Sequence, residues 1–166
     1  MNHETLGKMF LNELEQETKS TRKCLERIPE KLFTWKPHER SMTMGNLTLV
    51  IAEIPKWIST MIEKSEIDFA TFKHFEPKSS AELANYFDEN VNGAKNALKN
   101  VPDEGLSNLF YLKNKGVTVF SSRIDDSISS TINHMVHHRG QLTVYMRLND
   151  IPVPSIYGPS ADEQVF

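Results

Sequence analysis

The sequence predicts an all-α protein, a four-helix bundle with uneven connections. Two observations carry this. Apolar residues recur every three or four positions along four long stretches, with charged residues on the intervening positions. Prolines and turn-forming clusters separate those stretches. The 166 residues, 39% hydrophobic and 25% charged, suit one domain over 1–166. A chain of that length can bury a core without disulfides or structural metals.

The first helix is expected from about Asn2 to Arg27. Phe10, Leu14, Thr18, Thr21 and Leu25 mark its apolar face, and Pro29 stands just beyond its end. The run PEKLFTWKPHERS is a connector, broken by Pro29 and Pro37. The second helix lies in TMGNLTLVIAEIPKWISTMIEK. Thr43 can cap it by accepting from an orphan backbone N–H. Leu47, Val50, Ile51, Ile54, Ile58 and Met61 keep helical spacing. Pro55 removes one backbone hydrogen bond inside that pattern, which predicts a kink near Ala52.

The segment SEIDFATFKHFEPKS is expected to be a loop or a short irregular segment. The third helix opens on a capping box, Ser79 with Glu82, followed by Leu83, Tyr86, Phe87, Val91, Ala94 and Leu98 at helical spacing. LFYLKNKGVTVFSS alternates around KNKG and predicts a small hairpin or structured loop before the fourth helix. The last helix is expected from about Arg123 to Asn149, ended by the Pro- and Gly-rich tail DIPVPSIYGPSADEQVF.

Charge and cysteine content exclude several classes of function. The formal net charge is −3 and no dense Lys/Arg stripe exists, which argues against a nucleic-acid partner. Cys24 is the single cysteine, so neither an internal disulfide nor a Cys-rich zinc site can form. The charged run MNHETLGKMFLNELEQE has no signal-peptide core, and no stretch has the length and apolarity of a membrane span. A soluble, cytoplasmic protein is expected. Motifs for dinucleotide or phosphate binding, H-E-x-x-H and the G-x-S-x-G elbow are missing from the sequence.

The histidines carry the most chemistry. His134, His137 and His138 fall within TINHMVHHRGQLTVYMR. On a helix, His134, His138, Gln141 and Tyr145 share one stripe with Ser127, Ser130 and Thr131, while His137 lies at its edge. Polar groups on an inward face need partners. Two histidines at i and i+4 can chelate one divalent ion beside the helix. They can equally be hydrogen-bonded groove histidines, and spacing alone leaves both readings open, the plainer one the commoner. Arg139 can steer an anion or tie the last helix to a carboxylate. Gln141 can bond a metal-bound water or satisfy tail backbone, and Tyr145 can donate a proton or only pack. His3, His38 and His74 are expected at the surface. Cys24 follows an apolar pattern and reads as packed.

HMVHHRGQLTVYMR followed by DIPVPSIYGPSADE, and FTWKPHERSMTMGNL followed by IAEIPKW, resemble the DinB-like, damage-inducible family of metalloenzymes. The resemblance covers nearly the whole chain. It implies a four-helix bundle, often a homodimer, with a long connection between the second and third helices. It implies a nickel or zinc site of three histidines, one on the second helix and two on the last. Some relatives act as thiol-dependent transferases or isomerases, with thiols such as bacillithiol or mycothiol. Many have no assigned reaction. The last-helix pair corresponds to His134 and His138. The second-helix histidine corresponds to the position three before Glu53, which is Val50 here. Valine has no lone pair to offer.

Metal binding is therefore expected to be weak or lost, unless a group such as Glu53 or water completes the set. Two functions follow as expectations. One is a divergent metal-dependent transferase, hydrolase or isomerase acting on a small molecule with a thiol co-substrate. His134 and His138 would hold the ion, and Glu53 or Tyr145 would serve acid–base chemistry. The other is a non-catalytic small-molecule-binding or scaffold protein with a degenerate metal site. Val50, with Ile54 and Trp57 on adjoining turns, would give that pocket an apolar second-helix wall.

Overall fold

The computed structural model describes residues 5–164. Helix α1 spans Leu6–Glu26 and is capped by Thr5, whose hydroxyl accepts from the Lys8 amide. The expected start at Asn2 lies outside the described residues. The buried face of α1 carries Leu11, Leu14, Thr21, Cys24 and Leu25, while Phe10 and Thr18 are only half-buried at its edge. The face is thus rotated slightly from the predicted one. Gly7 permits a close approach of α1 to the third helix, since a Cβ there would stand 2.6 Å from the Leu98 carbonyl oxygen.

The connector forms a short 3-10 turn at Glu30–Leu32. Its Phe33 and Trp35 carbonyls accept from the Gly45 and Met44 amides. Together with Thr43, which accepts from Asn46, they satisfy the start of helix α2, Met44–Lys64. Helix α2 continues through Pro55. Beside the expected kink, Asn90 donates to the Ala52 carbonyl at 2.9 Å.

Strand β1 (Glu66–Asp68) follows, then helix α3 (Ser80–Asn100). Ser79 caps α3 by accepting from Glu82, while the Glu82 carboxylate accepts from the Lys78 amide. A one-turn helix α4 (Asp103–Leu106) leads into strands β2 (Leu109–Asn114) and β3 (Val117–Arg123). Helix α5 is Ile124–Leu148. Its bounds agree closely with the expected last helix.

The hairpin turns on Lys115 and Gly116, both with positive φ (51° and 78°), as a two-residue type I′ turn requires. One feature of the sheet was not expected. The segment read as loop supplies β1, which pairs parallel to β2, so the sheet has three strands in the order β1-β2-β3. Asp68 fastens this union by accepting from the amides of Ala70, Lys115 and Gly116. Those N–H groups hold its carboxyl below the usual range.

The four long helices close a ring in which α1 and α2 each pack against both α3 and α5. The core runs through the middle, from Leu14 and Leu25 on α1 to Leu47, Ile51 and Ile58 on α2, Leu83 and Phe87 on α3, and Ile128 and Leu142 on α5. This is the expected all-α bundle. Among the described residues no helix is long and apolar enough to cross a membrane.

Candidate functional site

Two aromatic contacts fix how α2 and α5 run past each other. Tyr145 near the end of α5 meets Trp35 at 5.4 Å and donates to the Met42 carbonyl at 3.2 Å, just before α2 begins. Trp57, further along α2, meets His134, earlier on α5, at 5.7 Å. The two helices are antiparallel. With equal rise per residue, Val50 stands at about the level of His138.

Much of the polar stripe of α5 is inward, as the spacing predicts, although Ser130 and Gln141 are exposed. Ser127, Thr131 and His138 are buried and His134 is half-buried. The rings of His134 and His138 are 4.5 Å apart. Gln141 Oε1 accepts from His138 Nδ1 at 2.7 Å, which in the neutral ring leaves the lone pair on Nε2. Gln141 thus orients a neighbouring side chain and does not serve the tail. Burial, with His138 and His137 nearby, lowers the pKa of His134 and favours the neutral ring. His137 is exposed at the edge.

Toward its first half, α5 borders a pocket of about 420 Å³ between α2, α5 and the sheet. Trp57 and Met61 of α2, Ile67, Phe69 and Phe72 from β1 and the segment after it, and Phe110, Leu112 and Phe120 of the hairpin form an apolar wall. Ser127, Ser130, Thr131 and His134 of α5 form a polar floor, with Asp126 and His74 also on the lining. Ser127 is engaged with Ser122 at 2.5 Å. Ser130 and Thr131 hydroxyls have no hydrogen bond among the described residues. Ile54, expected on the wall, is fully buried in the core instead, and Val50 lies outside the pocket.

Glu53 does not turn toward the histidine pair of α5. Its side chain is 1% exposed and faces the segment that links β1 to α3. It accepts from the Phe75 amide at 3.0 Å, meets His74 Nδ1 at 2.7 Å, and lies 3.4 Å from the Tyr86 hydroxyl. His74 is at the surface, as expected, and is also the partner of a buried carboxylate and part of the pocket lining. Sequence offered no signal for this. The contact joins positions 21 apart through an irregular segment without periodicity.

Arg139 also has a settled place. It is 1% exposed and pairs with Glu17 at 2.6 Å, and it donates to Ser20, Thr21 and the Tyr157 hydroxyl. Of its two readings, the structure supports the tie to a carboxylate.

A catalytic zinc or nickel centre needs three protein ligands and an open position. Among the described residues no group of three or more His, Cys, Asp or Glu side chains could hold a metal. Val50 offers no donor at the level of His138, and the Glu53 oxygens are committed elsewhere. The residues present do not fit a three-ligand centre.

The bundle, its three-stranded appendage and the histidine pair on the last helix define a class. The DinB family model matches residues 1–164, and the chain belongs to the DinB family. The structure is similar to that of a DinB-like protein from Bacillus subtilis, with a TM-score of 0.70 and 17% identity over 95% of this chain and 99% of that one. A DinB-like protein from Bacillus cereus superposes with a TM-score of 0.65 and 24% identity, covering 89% and 95% of the two chains. The uncharacterized protein YrdA of Bacillus subtilis is 56% identical over 32 residues, a match spanning 19% of this chain and 19% of that relative's length.

Proposed function

We propose that this protein binds a small, neutral, amphipathic molecule in the pocket between α2, α5 and the sheet. The observation that carries the proposal is the division of the pocket lining. One side is aromatic and aliphatic, and the other presents the unpartnered hydroxyls of Ser130 and Thr131 beside His134. A cavity of about 420 Å³ is within the range of small-molecule sites, whose few polar groups orient an otherwise apolar ligand. Asp126 on the lining disfavours an anionic head group.

A metal-dependent transferase with a thiol co-substrate receives less support, because two imidazoles alone make an incomplete site. His134 and His138, 4.5 Å apart, remain the pair at which a weakly held divalent ion would sit.

The test is a fluorescence titration with N-phenyl-1-naphthylamine, a neutral apolar probe. Saturable binding is expected. Trp57→Ala removes one large apolar contact of about 1.5–3 kcal/mol, a weakening of roughly 10- to 150-fold. Unsaturable binding, or equal affinity in the variant, would refute the proposal.

A further inference from the structure

We propose that Glu53 and His74 form a base dyad at the mouth of the pocket, and that the protein hydrolyses small carboxylic esters with apolar bodies. The inference rests on the pocket binding such molecules, and adds a reaction to it. It needs neither a metal nor the histidines of α5.

The geometry points to a built arrangement. A carboxylate that is 1% exposed is costly to keep from water unless its acceptor sites are filled. Glu53 fills them with the Phe75 amide, the Tyr86 hydroxyl and the His74 ring. The His74 side chain, in contrast, is 61% exposed. In the neutral ring, Nδ1 gives its hydrogen to Glu53 at 2.7 Å and Nε2 carries the lone pair. Nε2 has no hydrogen bond among the described residues. Phe72 packs edge-on against the ring at 5.3 Å, and Phe75 stacks on Tyr86 at 4.4 Å to hold the backbone beside it. An imidazole oriented by a buried carboxylate, with its other nitrogen open beside an apolar cavity, is the base half of a hydrolytic triad without the serine.

Water takes the place of the serine. His74 Nε2 removes a proton from a water molecule as the water oxygen bonds to the ester carbonyl carbon. The carbonyl electron pair moves onto oxygen. It returns as the carbon–oxygen bond to the leaving alkoxide breaks. His74 then gives its proton to the leaving group, so one water and one ester become one acid and one alcohol. Glu53 stabilises the transient imidazolium and fixes the ring. His74 is the catalytic residue, and Glu53 is a positioning residue.

The experiment uses the full chain with p-nitrophenyl butyrate as substrate and p-nitrobutyranilide, its poorly hydrolysed amide analogue, as the binding control. Saturable release of p-nitrophenolate is expected. His74→Ala should lower kcat by about 100-fold or more, the range of general-base contributions, with KM and anilide affinity within about twofold of the natural chain. Imidazole added to the buffer should restore part of that loss, beyond the ester hydrolysis imidazole causes without protein. Glu53→Gln should lower kcat without raising KM, and His74→Ala keeps the test decisive if Glu53→Gln fails to fold. Anilide binding without ester turnover, or equal turnover in His74→Ala, would overturn the dyad and leave the binding pocket standing. No saturable anilide binding would overturn both.

Discussion

Replacing Glu17 with alanine should destabilise the protein by about 3 kcal/mol, within the range for removing one partner of a buried ion pair. Arg139 is 1% exposed, and Glu17 Oε2 stands 2.6 Å from its guanidinium. The variant leaves that cation buried. It would still donate to the residue-17 carbonyl, Ser20, Thr21 and Tyr157, at 3.2, 2.9, 3.0 and 2.8 Å. These neutral acceptors hold the cost toward the low end of the usual ~3–5 kcal/mol. For a chain of this length each kcal/mol moves Tm by about 2–4 °C, so a fall of roughly 6–12 °C is expected. Urea denaturation should show a lower midpoint with an unchanged slope. Arg139→Met and the double variant complete the cycle. The double variant should lose clearly less than the sum of the two single losses, because no unpaired charge remains. A Glu17→Ala loss under about 1 kcal/mol, or simple additivity, would refute this account of how α1, α5 and the tail are joined.

Val50→His should tighten nickel binding by at least about 10-fold in calorimetric titration, by adding a third imidazole at about the level of His134 and His138. Equal affinity in the two proteins would show that the level of Val50 has been misplaced. Burial pushes the Cys24 thiol up to about 11. Alkylation of the folded protein at pH 8 should therefore be slow and keep pace with unfolding; rapid labelling in native buffer would contradict its packing. Glu163 is held at about 2, first by its hydrogen bond from Arg27 and then by the Ser155 amide. Its folded value lies below its unfolded one. Its stabilisation of the tail is therefore complete above about pH 4.5 and is lost as pH falls toward 2. Amide exchange at Ser155 should accelerate across that window once corrected for intrinsic rates, and Glu163→Gln should remove the pH dependence.

Local chemistry accounts for what was legible. The four helices could be read because each carries its own spacing and its own caps, such as Thr43 and Ser79. The hairpin was legible because Lys115-Gly116 tolerates the positive φ of its turn. The polar stripe of α5 followed from helical geometry alone, and Ser127, Thr131 and His134 do face the pocket. The buried face of α1 was less exact. Phe10 and Thr18 fit the period, but the close approach of Gly7 to α3 selects the face one step round, toward Leu11.

The sequence by itself determined the helices, the hairpin and the face of the last helix on which His134 and His138 lie. Those features depend on residues a few positions apart, where backbone geometry leaves little choice. Tertiary structure alone decided where Glu53 points, that His74 joins it, and that β1 pairs parallel to β2 to close an aromatic wall over α5. Helical phase puts Glu53 on a face but does not say which neighbour covers that face. A three-residue strand has too few positions to show a period. Its partner lies more than forty residues away. Contacts over such distances are chosen by which arrangement buries the most apolar surface while satisfying every buried polar group, and that choice belongs to the whole chain at once.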